Sequence, residues 1–337
     1  MAGQNVKGLM LVNLGTPDSP DSSGLRRYLN QFLTDRRVID LPAFFRHLLF
    51  KGIVVPIRAP KVAKLYKELW IEEGSPLKVY GQKVTDQVQE ILGEEYNVKL
   101  AMRYQNPSME SVINEFYEEG VSEIIMFPMF PQYASATTGS IYEELMRILN
   151  KREQIPNLRF INSYYDYEPM IDIYADNARS FNFEDYDHFV FSFHGVPERY
   201  LKKENSHCQC NVECCSSISK ANQFCYSAQC HSTAHAIATK LGLNKEDYTI
   251  AYQSRFGPEK WVQPYTDEVL FDLLDNGKKK VLVFSPAFVA DCLETTIEIG
   301  FEYKEEFIEK GGEKLDLVPS LNDDPRWVKV IADLVLA

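Results

Sequence analysis

The sequence lacks the features that would tie it to nucleotides, nucleic acids or a membrane span. No glycine-rich phosphate loop is present: Gly15-Thr16-Pro17 closes the first apolar run without the G-x-G-x-x-G spacing or a Walker lysine, so no nucleotide is implied. No basic stripe is present either. With 36 Lys and Arg against 48 Asp and Glu, the net charge of -12 opposes a phosphate backbone and excludes nucleic acid as an expected partner. The longest greasy stretch, Leu41 to Ile57, is broken by Pro42, Arg46, His47, Lys51, Gly52 and Pro56. It falls short of the roughly 20 apolar residues of a spanning helix. The first residues carry a single Lys and a short apolar run that leads into a turn, unlike a secretory signal, so a cytoplasmic location is expected. Paired C-x-x-C knuckles are missing among the cysteines, which makes a zinc ribbon a poor match.

What is present is a chain of 337 residues, 45% hydrophobic, long enough for two ordinary domains. Short runs rich in Val, Ile and Phe recur between helical patterns, the rhythm of parallel strands with crossover helices. One set covers Gly8 to Leu14, Val98 to Met102, Glu123 to Pro128 and Leu158 to Asn162. A second covers His188 to Phe193, Tyr248 to Gln253, Lys280 to Ser285 and Lys314 to Pro319. The predicted fold class is α/β, with two doubly wound domains, each built on a four-stranded parallel sheet flanked by helices. The expected boundaries are 1–165, 166–320 and a C-terminal helix over 321–337. The segments IIMFPMFPQYASATTGSIYEEL and VLVFSPAFVADCLETTIEIGFEY echo one another in layout: strand, Pro, aromatic, small polar turn, helix. Duplication and independent origin are both compatible with that echo.

Ligands of open α/β sheets sit beyond the carboxyl ends of the strands, so the residues just after each strand are the ones to weigh. His194 closes the run DHFVFSF before Gly195, where a ring that titrates near neutrality could act as a base or simply cap a strand end. Glu294, Glu298 and Glu302 recur every fourth residue, either as a solvated acidic face or as a carboxylate ladder for protons or a divalent cation. Oxygen and imidazole ligands together suit ferrous iron. Leu14, Tyr104, Phe130, Tyr133, Tyr252, Trp261 and Phe288 crowd the strand ends and would line a large flat ligand, or serve as core. Arg103 could pair with a carboxylate of the ligand or of the protein. His231 and His235, spaced i, i+4, make a workable ligand pair but read more simply as a solvated helix face, while His47, His188 and His207 form no constellation.

Six of the seven cysteines, Cys208, Cys210, Cys214, Cys215, Cys225 and Cys230, fall within 206–230. In a reducing compartment such clustering points to metal, and thiolate-rich irregular spacing suits an iron-sulfur cluster.

The strings LVNLGTP, MRYQNP, FPMFPQYASATTGS, FSFHGVPERY, YQSRFGPEKW, FSPAFVADCLETTIEI and LNDDPRWV, in order from Leu11 to Val328, resemble the motifs of the ferrochelatase family. The resemblance implies the chelatase fold of two Rossmann-like domains holding a porphyrin, with protoporphyrin IX and ferrous iron as substrates and protohaem as product. It implies that His194 and Glu294 handle the metal and the pyrrole protons, with Glu298 and Glu302 leading away from them. Leu14, Arg103, Tyr104, Ser254, Trp261 and Phe288 match porphyrin-binding positions, and 41–57 matches an apolar lip that can rest on the inner membrane face. Leu14 stands where coproporphyrin-using relatives tend to carry an aromatic, which favours protoporphyrin.

Some cluster-bearing members place one ligand after Pro-Gln-Tyr and three in a C-terminal tail. Here that turn reads Ala134-Ser135-Ala136 and no cysteine follows Cys292. All ligands of a 2Fe-2S cluster are therefore expected within the insert. Cys230 falls where cluster-free relatives can also carry a Cys and is placed behind the others, and the set expected is Cys208, Cys210, Cys215 and Cys225, with Cys214 the first substitute and Cys230 after it. A coproporphyrin or cobalt chelatase, a non-catalytic haem or metal carrier, and a homodimer stay open.

Overall fold

The computed structural model describes residues 6–204 and 208–337. Ser206 and His207, the first two residues of the 206–230 insert, lie outside them. The chain divides into two units, Met1–Phe130 with Ala134–Ser163 and Asn322–Ala337, and Pro131–Tyr133 with Tyr164–Leu321. The C-terminal segment thus joins the first unit instead of standing alone.

In the first unit, β1 (Lys7–Gly15), β2 (Tyr96–Tyr104), β3 (Glu123–Pro128) and β4 (Asn157–Phe160) form one sheet in the order β2-β1-β3-β4. Every pairing is parallel, with Leu11 opposite Leu100 on one side and Phe127 on the other. Its helices are α1 (Ser22–Phe32), α2 (Ala43–Leu49), α3 (Val55–Leu69), α4 (Pro76–Leu92), α5 (Met109–Glu118) and α6 (Ser140–Leu149). In the second unit, α7 (Glu168–Arg179) leads into β5 (His188–His194), α8 (Glu198–Glu204), α9 (Val212–Cys215) and α10 (Tyr226–Leu241). Then come β6 (Tyr248–Gln253), α11 (Thr266–Asp275), β7 (Lys280–Phe284), α12 (Lys304–Glu309) and β8 (Lys314–Leu317). The sheet order, β6-β5-β7-β8, repeats that of the first unit, again all parallel. The last helix, α13 (Pro325–Leu336), returns to the first unit, where Arg159 donates to the carbonyls of Leu334 and Val335.

The sequence dictates these elements locally. Asp21 caps α1 by accepting the amides of Ser23 and Gly24 at 2.7 and 2.8 Å. Gly242 stops α10 in the left-handed region at φ 72, where a side chain would be strained. Central strands buried on both faces need continuous apolar runs. Met10, Val12, Ile124 and Met126 pack with Phe116, Ile141 and Leu145 in one core. Val190, Ala251, Val281 and Val283 pack with Ile299, Phe307 and Leu315 in the other. Each of these side chains larger than alanine contributes about 1.5–3 kcal/mol on burial.

The echoed segments occupy the same place in the two units. In each, the third strand is followed by a stretch of π-helix, Ser135–Gly139 leading into α6 and Leu293–Tyr303 leading into α12. The Glu294, Glu298 and Glu302 segment is therefore not the α-helix that its spacing suggests but a wider coil. Such insertions collect at functional sites.

Candidate active site

In the second unit, β5 ends at His194, whose ring is half-buried beside Trp261 and Phe288, each 6.4 Å away between centroids. Its Nδ1 lies 2.7 Å from the Gly195 carbonyl. A carbonyl only accepts, so Nδ1 carries the hydrogen in the neutral ring, and Nε2 keeps the lone pair. The turn that follows is tight. A Cβ on Gly195 would meet the Gln253 carbonyl at 2.9 Å and the Trp261 ring at 3.0 Å, so glycine is required there.

His194 pairs with Gln253 across β5 and β6, and Gln253 ties this strand end to the glutamates. Its Nε2 donates to the Glu294 carbonyl at 2.9 Å and to the Glu298 carboxylate at 3.0 Å, while Ser192 donates to its Oε1 at 2.7 Å. Glu298 also accepts from Ser254 at 2.5 Å and from Tyr303 at 3.0 Å. Ser254 reaches it from a left-handed backbone, φ 64, unusual for a residue with a side chain. Burial and the adjacent Glu298 push the Tyr303 hydroxyl well above its ordinary range, so it stays a donor. Glu294, Glu298 and Glu302 are all half-buried, which departs from a fully solvated acidic face. Gln253 and Tyr303 were not among the sequence candidates. Gln253 closes its predicted strand as His194 closes the neighbouring one, and that parallel was the available signal.

In the first unit, Leu14 is half-buried at the end of β1. Arg103 and Tyr104 are committed internally. Asp35, 9% exposed, accepts from Arg103 at 2.7 Å, Tyr104 at 2.8 Å, Ser140 at 2.5 Å and the Arg37 amide at 2.7 Å. Burial by itself would raise the Asp35 carboxyl, but the Ser140 and Arg37 hydrogen bonds and the Arg103 charge bring it below the usual range. Of the two carboxylate partners weighed for Arg103, the structure supplies the one within the protein. Tyr104 is 1% exposed and presents no open surface, and Tyr252 is likewise core. Phe130 and Tyr133 stay half-buried at their strand ends.

The insert brings its thiols into a contiguous group. Cys208 and Cys210 lie 3.5 Å apart at sulfur, and Cys225 takes hydrogen bonds from Cys215 and Cys208. The Cys215 bond and the Ser227 and Ala228 amides hold the Cys225 thiol below its ordinary range, while Cys215 is pushed up. Cys230 is fully buried against Tyr226, and Cys214 lies beside Cys215 at its edge. The sulfurs touch in pairs; among the described residues no three His, Cys, Asp or Glu surround a common point as ligands of a single metal ion. A donor set of four adjacent, partly shielded thiols fits an iron-sulfur group better than a lone ion.

His231 departs from the solvated reading. It is buried, burial brings its pKa down to about 4, and its ring lies 6.0 Å from His235, which bonds the Tyr248 hydroxyl at 2.6 Å. The greasy stretch forms α2, a π-helical turn over Phe50–Val54 and the start of α3. It exposes Phe44, Phe45, Leu48, Ile53 and Ile57, with a depression of about 490 Å³ lined by Ala43, Phe44, His47 and Leu48. Among the described residues no helix is long and apolar enough to cross a membrane.

The chain as a whole is similar to known proteins. A family model described as Ferrochelatase matches residues 6–337. A ferrochelatase of Legionella pneumophila is 41% identical over 329 residues, covering 98% of each chain. One of Coxiella burnetii is 42% identical over 334 residues, 98% of this chain and 93% of its own. Among solved structures, the sirohydrochlorin chelatase SirB of Bacillus subtilis subspecies spizizenii, in complex with cobalt, aligns with a TM-score of 0.55 at 9% identity. SirB from Bacillus subtilis with Fe3+ aligns at 0.54 and 10% identity, and each alignment covers 98% of this chain and 94% of the other. These two likenesses show the fold: this is the α/β chelatase fold.

Proposed function

The chain belongs to the ferrochelatase family, and from that membership we propose that it inserts ferrous iron into protoporphyrin IX, giving protohaem and two protons at the last step of haem biosynthesis. It is an enzyme, a metal chelatase of the lyase class. The observation that carries the detailed reading is the Gln253 link, which holds the His194 strand end and the Glu294–Glu298 coil together by hydrogen bonds of 2.9 and 3.0 Å.

A free porphyrin is planar and keeps two N–H protons, so iron enters only when the ring buckles and both protons leave. Binding energy from apolar walls supplies the distortion, and in the second unit Trp261 and Phe288 stand beside His194 as such walls. His194 accepts a pyrrole proton at Nε2 because Nδ1 is held by Gly195. Glu294 faces the incoming iron with it, and Glu298 and Glu302 carry protons away. Ser254 acts through Glu298, and Arg103 and Tyr104 act from beneath the surface by fixing Asp35 and Ser140. Half-buried, apolar Leu14 favours protoporphyrin over the more charged coproporphyrin. Steady-state turnover of the two porphyrins tests this: preference for protoporphyrin IX is expected, and preference for coproporphyrin would overturn it.

A 2Fe-2S cluster bound by Cys208, Cys210, Cys215 and Cys225 is part of the same proposal, supported by the contiguity of those thiols. When bound, the group supplies one-electron chemistry that insertion itself does not need. A visible spectrum with thiolate-to-iron charge-transfer bands in the anaerobically purified protein is the expected result, and a colourless, zinc-loaded protein the contrary one. The exposed lip, which carries Lys51 and is followed by Arg58, Lys61 and Lys64, is proposed to rest on the inner face of the cytoplasmic membrane.

A further inference from the structure

The first turn of α10 joins the thiol group to the reaction site. Cys225 immediately precedes that helix, and the amides of Ser227 and Ala228 bond its sulfur. Tyr226, the next residue, is buried, and its hydroxyl donates to the His194 carbonyl at 2.9 Å. Around that carbonyl the peptide is otherwise held by the Gly195 amide, which donates to the Gln253 carbonyl at 2.8 Å, and by the His194 ring on the Gly195 carbonyl. The imidazole is therefore aimed by the same peptide that Tyr226 grips. A second bridge runs alongside. The Cys215 thiol donates to Ser227 Oγ at 3.2 Å, and Ser227 Oγ lies 2.7 Å from the hydroxyl of Tyr252. Tyr252 precedes Gln253, whose amide holds Glu298 and the Glu294 carbonyl.

We infer that Tyr226 is a positioning residue for His194, and that Tyr226 and Ser227 couple the thiols of the insert to the metal-insertion site, so that the state of those thiols sets the aim of the imidazole. The inference rests on the cluster reading only for what the thiols hold; the bridges consist of this chain's own side chains. The buried Tyr226 hydroxyl grips the His194 carbonyl from the residue next to Cys225, and the buried Ser227 hydroxyl is bonded on both sides; such groups transmit displacement, because letting go leaves a buried polar group unpaired. Removing the Tyr226 hydroxyl spares the porphyrin walls, so it should act on turnover more than on binding.

The test is a double-mutant cycle on the full chain, Tyr226→Phe, Cys225→Ser and both together, assayed with ferrous iron and protoporphyrin IX and by visible absorbance. Tyr226→Phe is expected to keep the charge-transfer bands and a porphyrin KM within about twofold, and to lower kcat roughly threefold to tenfold, the worth of one hydrogen bond. The double variant is expected to be no slower than the slower single one, since both cut one connection. Losses that multiply, or a Tyr226→Phe enzyme with full kcat, would overturn the coupling. Should Tyr226→Phe fold poorly, Ser227→Ala cuts the parallel bridge and is expected to show the same split, a lower kcat at unchanged KM; a change in KM alone contradicts it. If the unmutated protein shows no charge-transfer bands, the cluster reading fails by itself. The same cycle on the cluster-free thiols then still decides the coupling.

Discussion

At the scale of residues, the chemistry depends on a few side chains whose partners lie far away in sequence. Arg103 was legible as a cation after a strand, but its partner Asp35 is 68 residues earlier, and no local pattern announces the pair. Asp35 accepts four hydrogen bonds in a largely dry setting, so Asp35→Ala should leave Arg103 with only the more distant Glu144 carboxylate, at 3.9 Å, and cost about 3 kcal/mol in a urea titration at neutral pH. A cost below about 1 kcal/mol would mean that water already shares the site. His188, buried at the start of β5 and bonded to Thr249 at 2.9 Å, has its pKa lowered by burial and by the Lys278 charge. The unfolded chain therefore takes up a proton below the ordinary value of 6.5 before the folded one does, so stability falls as pH drops through that value. His188→Gln should lose less stability between pH 7 and pH 5 than the parent, by up to about 1 kcal/mol. An unchanged pH slope would contradict this.

At the scale of elements, the strands were the most legible part, because parallel strands buried on both faces must be written as apolar runs. The run Glu123 to Pro128 matches β3 from end to end, and Tyr248 to Gln253 matches β6. The coil that carries Glu294, Glu298 and Glu302 was not, because fourth-residue spacing is shared by α- and π-helical ladders and nothing in the composition separates them. His231 was misread for a related reason: an i, i+4 pair on a helix looks the same facing water or facing the interior. The lip was legible as apolar and too short to span, and its exposure gives it a use. Phe44, at 73% exposure, and Phe45, at 60%, should insert into a bilayer surface. Co-sedimentation with vesicles containing phosphatidylglycerol should fall at least severalfold in the Phe44→Ser, Phe45→Ser variant while porphyrin turnover in detergent-free buffer persists. Equal sedimentation of both proteins would remove the lip as a membrane contact.

At the scale of the whole molecule, the repeated sheet order and the π-helical stretch after the third strand of each unit give the internal echo a structural counterpart. The two units differ at equivalent positions: the first ends its turn in Ser135–Gly139 with no carboxylate, and the second places three glutamates along Leu293–Tyr303. One architecture thus carries a buried Asp35–Arg103–Tyr104 group in the first unit and the His194, Gln253 and Glu298 group in the second. The most direct measurement is haem formation from ferrous iron and protoporphyrin IX under anaerobic conditions, by the parent protein and by His194→Ala. Haem is expected from the parent, with turnover reduced by a factor on the order of 100 or more in His194→Ala, the loss expected for a proton acceptor. Porphyrin bound by the parent without conversion to haem, or a His194→Ala protein of undiminished turnover, would contradict it.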